Sequence, residues 1–397
     1  MTGGESMKNI VISQEELDAI RNGALNEIDR LTAKLKDTLE SYFLRFRTDE
    51  VHTWSMYRGN PAHTGTVGPT HRMVGGRLKF TREIGPGVKT PPIVTPQHIF
   101  TPAAGGSELE CLALETGEQV WSFSLGAKAT SPAVVSWDGF VYVPTDDQEL
   151  YSIGVESGLL RWRFHLDDLV LCSPCVDGTS VFLSTREGYL LALDAQSSKL
   201  KWMSPWESAF SEPTAAKANI FIGTYDGCLM SVWQGSGDIR WKTACLGKAT
   251  SSATYHDGRV YYSLPESDER RGSIHCLNAE TAEIIWRHET PADMSCTSAV
   301  SGESLYLVAQ NRLESLTAAD ARKRWSFSTE TPIRSCPTVI EPAVFVTTRA
   351  GVVHAVDSKN GKELWKYDLG TGIVGSAAYA GGLLVVAGED GKLYAFE

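Results

Sequence analysis

Tryptophan recurs along this chain at an almost constant interval. The seven residues are Trp121, Trp162, Trp202, Trp241, Trp286, Trp325 and Trp365, which are separated by 41, 40, 39, 45, 39 and 40 positions. Each one ends a phrase of similar shape, such as ALETGEQVW, CLNAETAEIIW and AVDSKNGKELW. A period of about 40 residues is typical of an architecture that repeats one small structural unit.

A second phrase recurs between the tryptophans, and it shows what the repeated unit contains. It reads SPAVV at Ser131, SPCVD at Ser173, EPTAA at Glu212 and CPTVI at Cys336, and an alternating run such as GFVYVPT or TSVFLST follows it. Turn residues between short β-branched and aromatic runs predict four strands per unit. A single sheet of this size cannot bury both faces, whereas radial stacking of such sheets does, so we expect a β-propeller.

The two ends of the repeat region predict the number of blades. After Trp365 the chain supplies three more strand segments, SAAYAGG, LLVVAGEDG and KLYAFE. Near the start, GRLKFTREIG places Phe80 41 positions before Trp121, where the repeat would otherwise have tryptophan. We therefore expect strand 77–85 to pair with the last blade and close an eight-bladed ring without a free edge. The predicted fold is an all-β, eight-bladed propeller of four-stranded blades with an N-terminal amphipathic α-helix.

These phrases resemble a known repeat. The pattern A-x-D-x-x-T/S-G-x-x-x-W, preceded by S-P-x-V and D-G-x-hydrophobic-Y, is similar to the tryptophan-docking repeat of the PQQ-like (quinoprotein-like) β-propeller family over residues 77–397. The segment WSMYRGNPAHTG, residues 54–65, resembles the lead-in that commonly precedes such propellers. The resemblance implies the fold. Members include quinoprotein alcohol dehydrogenases and the propeller lipoprotein of the outer-membrane barrel-assembly machine, so it does not imply one function.

The first part of the chain departs from the repeat. We expect a flexible N-terminus over 1–12, an amphipathic helix over 13–47, and a linker with the lead-in segment over 48–76. Ser13 and Glu16 form a capping box at the start of the helix. An apolar stripe follows at intervals of three or four and includes Ile28, Leu31, Leu35, Leu39, Tyr42 and Phe46. The stripe predicts self-association or binding of a protein partner, for instance as a coiled coil; the alternative is that it packs on its own propeller.

One repeat is longer than the others. The interval from Trp241 to Trp286 is 45, and the surplus falls in SLPESDERRGSIHC, residues 263–276. The residues Asp268, Glu269, Arg270 and Arg271 make this segment highly charged. Because propellers vary their recognition surfaces in loops, it is a second candidate partner-binding surface, and an inert insertion is the alternative.

Charge and hydropathy restrict the partners. The chain has 48 acidic and 37 basic residues, a net charge of −11, and no Lys/Arg-rich run. A protein that binds nucleic acid through its backbone needs a clustered basic face, so we expect no nucleic-acid partner. There is no apolar run of the roughly 20 residues that cross a bilayer, and MTGGESMKNI lacks the layout of a signal peptide. From these features we expect a cytoplasmic location and no membrane partner.

The motifs that could carry chemistry have structural explanations. Cys172 and Cys175 have C-x-x-C spacing, yet they fall in the recurring inner-strand phrase. Gly370-Thr371-Gly372-Ile373-Val374-Gly375 matches G-x-G-x-x-G, but it lies between two predicted strands rather than before a helix. The nine histidines are scattered, without H-E-x-x-H, and there is no G-x-S-x-G. We name no catalytic, cofactor-binding or metal-binding residue and expect no cofactor.

The sequence favours a non-catalytic binding scaffold or sensor subunit of a multiprotein complex, in which the propeller is the recognition platform and the helix serves assembly. One alternative is a PQQ-dependent quinoprotein-type dehydrogenase, which the resemblance permits. Against it stand the absence of adjacent cysteines and of C-x-x-C-H for haem, and a length of 397 residues, which is modest for that class. A second alternative, a small-ligand sensor in a bacterial signalling or defence system, fits the same features as the scaffold.

Overall fold

In the computed structural model the chain forms two compact units, Met1–Arg47 and Thr48–Glu397. The structure describes residues 55–56, 58–67, 73–206, 211–244, 251–265, 271–290, 294 and 296–397, all within the second unit. The helix predicted for 13–47, with its six stripe residues from Ile28 to Phe46, lies outside these residues. Within them the regular elements are strands and one short 3-10 helix, Ala104–Gly106. A helix of the length and apolarity that a bilayer requires is not found in this described part.

Eight sheets are arranged in chain order. Two strands precede the first of them, β1 (Thr66–Val67) and β2 (Leu78–Glu83). Blade 1 contains β3 (Ile93–Val94), β4 (His98–Ala103), β5 (Glu108–Ala113) and β6 (Gln119–Ser124). Blade 2 contains β7 (Val134–Val135), β8 (Phe140–Pro144), β9 (Glu149–Gly154) and β10 (Leu160–His165). Blade 3 contains β11 (Cys175–Asp177), β12 (Ser180–Ser184), β13 (Tyr189–Asp194) and β14 (Leu200–Pro205).

The second half of the ring repeats this order. Blade 4 contains β15 (Thr214–Ala216), β16 (Asn219–Gly223), β17 (Cys228–Trp233) and β18 (Ile239–Ala244). Blade 5 contains β19 (Thr254–His256), β20 (Arg259–Pro265), β21 (Gly272–Asn278) and β22 (Ile284–Thr290). Blade 6 contains β23 (Ala299–Ser301), β24 (Ser304–Ala309), β25 (Arg312–Thr317) and β26 (Lys323–Ser328). Blade 7 contains β27 (Thr338–Ile340), β28 (Ala343–Thr347), β29 (Val352–Asp357) and β30 (Glu363–Asp368). Blade 8 contains β31 (Ile373–Ala380), β32 (Leu383–Gly388) and β33 (Lys392–Phe396).

The eighth blade takes its outer strand from near the beginning of the propeller. Strand β2 pairs antiparallel with β33, which gives the order β2-β33-β32-β31. Phe80 lies opposite Ala395 in this pair, as Trp365 lies opposite Ala355 in blade 7. Phe80 thus holds the register position that tryptophan holds in the other blades. The predicted all-β, eight-bladed propeller is confirmed.

Each of the seven regularly spaced tryptophans joins its own blade to the next one. Its ring lies 5.5–6.2 Å from an aromatic ring on the second strand of the same blade, for example Phe100 beside Trp121. Its Nε1 donates a hydrogen bond of 2.7–3.2 Å to a backbone carbonyl, which for Trp121 is that of Val155 in blade 2. The apolar ring fills the wedge between two sheets while its single donor is satisfied.

The long repeat is an extended hairpin. Strand β20 runs for seven residues, whereas β12 and β16 run for five, and it pairs with β21 as far as Pro265 opposite Gly272. Arg271 is exposed just before β21. The other three charged candidates of this segment, Asp268, Glu269 and Arg270, lie outside the described residues. Part of the surplus sequence is therefore strand rather than loop.

Candidate functional site at the propeller channel

The lead-in segment runs along the innermost strands. The carbonyl oxygens of Ser55, Pro61, Ala62, Thr64 and Gly65 accept hydrogen bonds of 2.7–2.9 Å from the amides of Val135, Ala215, Tyr255, Val300 and Val339, respectively. Those five amides belong to the inner strands of blades 2, 4, 5, 6 and 7. Strand β1 continues this contact by pairing in parallel with β27. Because the innermost strands contact each other round the axis, the segment occupies the central channel.

Arg58 is the charged anchor of this segment. Its side chain is fully buried, and its Nη1 and Nη2 donate to the carbonyl oxygens of Pro337 at 2.7 Å and Ser298 at 2.8 Å. These carbonyls precede the inner strands of blades 7 and 6, so one guanidinium connects two blades. Gly65, at a φ of +65°, leaves the space that the guanidinium occupies, since a Cβ there would overlap it. Hydrogen bonds to a charged donor are stronger than neutral ones, which favours a rigid segment.

His63 is also buried where the lead-in segment meets the inner strands. Its Nδ1 is 2.9 Å from Thr214 Oγ1, and that hydroxyl donates its proton to the carbonyl of Ala253 at 2.8 Å. Since a hydroxyl has one proton to donate, His63 donates Nδ1–H to Thr214. Burial, followed by the positive charge of Arg58, lowers the pKa of His63 to about 3. The imidazole is therefore neutral near pH 7 and acts as a structural donor.

A ring of side chains surrounds one end of the inner strands. It is defined by the residue two positions before each inner strand begins in blades 1 to 7, and by Ser376 at the equivalent register in blade 8. The eight residues are Pro91, Pro132, Ser173, Glu212, Ser252, Thr297, Cys336 and Ser376. We call this set the mouth ring. It lies beside the layer of residues, such as Thr214, that contacts the lead-in segment.

Hydrogen bonds connect neighbouring members of the mouth ring. Ser252 Oγ donates to Glu212 Oε2 at 2.5 Å, and the Ser252 amide donates to Thr297 Oγ1 at 3.1 Å. On the other side, the Cys336 amide donates to Ser376 Oγ at 3.0 Å. Burial raises the pKa of Glu212, which favours its neutral form. The mouth thus presents a carboxyl group, hydroxyls and a thiol, a set suited to hydrogen bonding.

The mouth does not fit the quinone cofactor of the dehydrogenase alternative. That cofactor carries carboxylates and is bound together with calcium, which takes about six to eight oxygen ligands. Glu212 is the only carboxyl residue of the mouth ring, and the described residues contain no group of three or more His, Cys, Asp or Glu able to hold a metal. The guanidinium of Arg58, the nearby cation of the lead-in segment, is already bonded to two carbonyls.

The C-x-x-C pair and the G-x-G-x-x-G motif both lie where they contribute to packing within the propeller. Burial raises the pKa of both thiols of the C-x-x-C pair, that of Cys172 to about 12, and the thiol of Cys175 faces the carbonyl of Pro61. The glycine motif leads into strand β31, where Gly375 packs against Pro91.

Sequence reasoning did not single out three of the channel residues. Arg58 and His63 stood in the lead-in motif without a role, and Glu212 stood in the recurring phrase EPTAA. The signal for Glu212 was present, because the other three phrases quoted above begin with Ser or Cys where this phrase begins with the acid. Of the ten predicted partner-binding residues, Arg271 is the one that the structure describes, and it lies at the hairpin of blade 5 rather than among these channel contacts.

The repeat region of this chain matches a known protein family. A family profile described as "Outer membrane protein assembly factor BamB" matches residues 105–252, 234–341 and 324–397. The protein of that name from Yersinia pestis is 27% identical over 252 residues, which are 56% of this chain and 61% of the relative. The one from Legionella pneumophila is 22% identical over 200 residues, 47% of this chain and 50% of the relative. The chain therefore spans about half to three fifths of the length of these two relatives.

Solved structures show the same fold. BamB from Moraxella catarrhalis superposes with a TM-score of 0.69 at 14% identity, covering 81% of this chain and 99% of that one. Quinohemoprotein alcohol dehydrogenase from Comamonas testosteroni superposes with a TM-score of 0.70 at 14% identity, covering 87% and 80%. At such identities the likeness establishes the propeller architecture and leaves the activity open.

The comparisons correct one expectation and assign the family. The predicted cytoplasmic location is wrong: it is contradicted by the matched relatives, which are repeatedly named outer membrane protein assembly factors. The prediction relied on composition and on the first residues, and a propeller's packing is the same in any aqueous compartment. Since the profile covers most of the chain, this protein belongs to the PQQ-like β-propeller family of the outer membrane protein assembly factor BamB type.

Proposed function

We propose that the protein is a non-catalytic, protein-binding subunit of a multiprotein assembly at the outer membrane. The observation that carries the proposal is the filled channel, in which the lead-in segment is bonded to the inner strands of five blades. A channel used in this way makes the ring rigid and leaves its faces and outer rim for recognition. Rigid scaffolds that present variable surfaces are well suited to binding proteins.

The relatives support the same class of function. Several of them are assembly factors by name, and for a factor of this kind binding other proteins is the simplest role for a propeller. The side chains of the mouth ring support the proposal that the subunit is non-catalytic, since they suit neither the quinone cofactor nor its calcium ion. We further propose that the stripe Ile28, Leu31, Leu35, Leu39, Tyr42 and Phe46 serves the assembly, because large apolar side chains left in water forgo about 1.5–3 kcal/mol each.

Isolation of the full chain from its own cells under mild crosslinking tests this proposal. We expect a small set of proteins to be crosslinked to it in a reproducible ratio, at sites that mass spectrometry maps to the propeller. As a parallel arm, PQQ and calcium are titrated into the purified chain while thermal unfolding is followed, with a quinoprotein dehydrogenase as the positive control. Recovery of the chain alone, together with saturable PQQ binding, would replace the scaffold with the dehydrogenase.

A further inference from the structure

The outermost strands differ round the ring in the side chains that they show to solvent. Two positions before the docking tryptophan, blades 2 to 5 have Leu160, Leu200, Ile239 and Ile284, each between 43% and 56% exposed. The equivalent positions in blades 1, 6 and 7 are Gln119, Lys323 and Glu363. These positions share one register and are all exposed, so the contrast does not follow from the fold itself. In blade 8 the same register position is Leu78, which is half-buried.

A second outward position distinguishes blades 2 to 5 from the two blades that flank them. One position after the tryptophan, blades 2 to 5 have Arg163, Met203, Lys242 and Arg287, all exposed. The flanking blades 1 and 6 have Ser122 and Ser326 there, and blade 7, beyond blade 6, has Lys366. We call the eight residues of blades 2 to 5 the outer arc. It is an aliphatic and basic surface bounded on both sides by serine-bearing strands.

Exposed apolar residues concentrate in this half of the ring. Of the 14 large apolar side chains that are exposed among the described residues, 11 lie between Leu159 and Ile285, since only Met73, Val120 and Leu364 fall outside that span. Single exposed apolar residues are ordinary, whereas a bounded cluster indicates an interaction surface.

The charges of the outer arc select the kind of partner. Arg163, Lys242 and Arg287 make it basic, and the acid on the same strands that contacts one of them is Glu289, 3.4 Å from Arg287. Acidic residues of the preceding turns, Glu156, Asp238 and Glu283, lie toward the end at which each outer strand begins. A second copy would oppose two basic arcs, which is unfavourable. A partner with carboxylates that meet the middle of the strands is complementary.

The shape of the outer arc favours a polypeptide over a lipid surface. The four strands lie on four consecutive blades of eight, so they follow about half of a curved perimeter, and a flat bilayer could contact one or two of them at a time. The acidic turns would also repel anionic headgroups. We propose that the outer arc is the docking surface for an acidic segment, carrying aliphatic side chains, of a partner protein; this rests on the scaffold function proposed above.

The probe is a fluorescent synthetic peptide of glutamate and leucine, compared with a matched peptide of lysine and leucine. Binding to the full chain is measured by anisotropy, and we expect the acidic peptide to bind about tenfold more tightly or better and to weaken as salt is raised. The double substitution Leu200→Ser with Ile239→Ser should weaken binding of the acidic peptide by about tenfold. The matched control is Val120→Ser with Leu364→Ser, which removes exposed aliphatic side chains outside the outer arc and should leave binding unchanged.

Equal binding of the two peptides, or equal losses in the arc and control variants, would overturn the proposal. So would vesicles of phosphatidylglycerol that bind through Leu200 and Ile239 and are not displaced by the acidic peptide, because the surface would then belong to a membrane. The crosslinked complex separates this proposal from the scaffold function. If the arc variant still recovers the same partners in the same ratio, the outer arc is not their docking surface and the scaffold stands; if no partner is recovered by the unchanged chain, the scaffold itself is wrong.

Discussion

The indole Nε1 of Trp365 donates a 2.8 Å hydrogen bond to the carbonyl oxygen of Val74, although the two residues are 291 positions apart. In the other six blades that carry the tryptophan, the same bond joins residues 32 to 38 positions apart. The ring of Trp365 also packs against Gly76, which has a φ of +81° and where an added Cβ would overlap the ring. The contact that connects consecutive blades thus also connects blade 7 to the residues that lead into β2.

Phe80→Trp should stabilise the one inter-blade contact that lacks this bond. Phe80 packs on Gly117 as Trp121 packs on Gly158, and the carbonyl of Leu114 takes the place that Val155 takes for Trp121. The new Nε1–H should therefore find an acceptor and raise the free energy of unfolding by about 1 kcal/mol. Urea unfolding measures this. Phe123→Trp adds the same indole without that acceptor, and an equal gain in both variants would show that the bond is not the cause.

Arg58→Met should destabilise the propeller. It removes two charge-assisted hydrogen bonds, to the carbonyls of Ser298 and Pro337, a loss of about 3 kcal/mol. The carbonyl of Ser298 keeps a hydrogen bond from Thr254 Oγ1, whereas that of Pro337 loses the guanidinium donor. Thermal and urea unfolding of the full chain check the value. A loss below about 0.5 kcal/mol, the range of an ordinary surface substitution, would mean that the lead-in segment does not hold the ring.

Gly65→Ala should reproduce most of that loss, since its Cβ overlaps the guanidinium of Arg58. Gly126→Ala is the matched control, because Gly126 has a similar φ of +75° with nothing within 4 Å of the added Cβ. The control should show only the backbone cost of about 1 kcal/mol. If the two alanine variants unfold at the same urea concentration, crowding at Arg58 is not important.

His63 should make stability depend on pH in the acid range. Its pKa is about 3 in the folded chain and about 6.5 when unfolded, so the unfolded state binds more protons between these values. The contribution of the neutral imidazole to the free energy of unfolding is fully present above pH 6.5. It is lost as the pH falls toward 3, at about 1 kcal/mol per pH unit. His63→Gln, which keeps an N–H for Thr214, should flatten the curve over this window. Subtracting the curve of His165→Gln, an exposed histidine, controls for the loss of any one histidine; identical curves would contradict the assignment.

Glu212→Gln should change the free energy of unfolding at high pH, whereas His63→Gln changes it at low pH. Burial raises the pKa of this carboxyl, so its folded state resists ionisation, and stability is lost as the pH rises through the raised value. A glutamine keeps an acceptor for Ser252 and cannot ionise. The variant should match the original chain near pH 4.5 and be more stable near pH 8 in urea unfolding. Equal stability at both pH values would mean that Glu212 is ionised without cost.

The eight-bladed ring could be predicted because a large aromatic side chain recurs once in every blade. Trp121 to Trp365 give the blade count, and Phe80 marks the remaining outer strand, since an inter-blade wedge needs a large ring in every repeat. The course of WSMYRGNPAHTG could not be predicted, because Ser55, Pro61 and Ala62 bond through backbone carbonyls that every residue type possesses. The bond between Ser252 and Glu212 also needs the blade register, which the sequence shows only once the strands are aligned.

The remaining site predictions depend on residues that the described structure does not cover. The stripe from Ile28 to Phe46 and the charged residues Asp268 to Arg270 stay predictions. The outer arc was missed for a different reason. Leu160 and Ile239 look like ordinary strand residues until they are compared with Gln119 and Lys323 at the same distance from the docking tryptophan.

Native mass spectrometry of the full chain, purified from its own cells without crosslinker, shows whether the protein is a subunit of a larger assembly. We expect an assembly whose mass exceeds the 43.4 kDa of this chain by that of one or more other proteins, in a fixed ratio. Substitution of Arg58 should reduce its yield in proportion to the loss of folded propeller. A chain recovered only at 43.4 kDa, or at multiples of it, would contradict a subunit that binds other proteins.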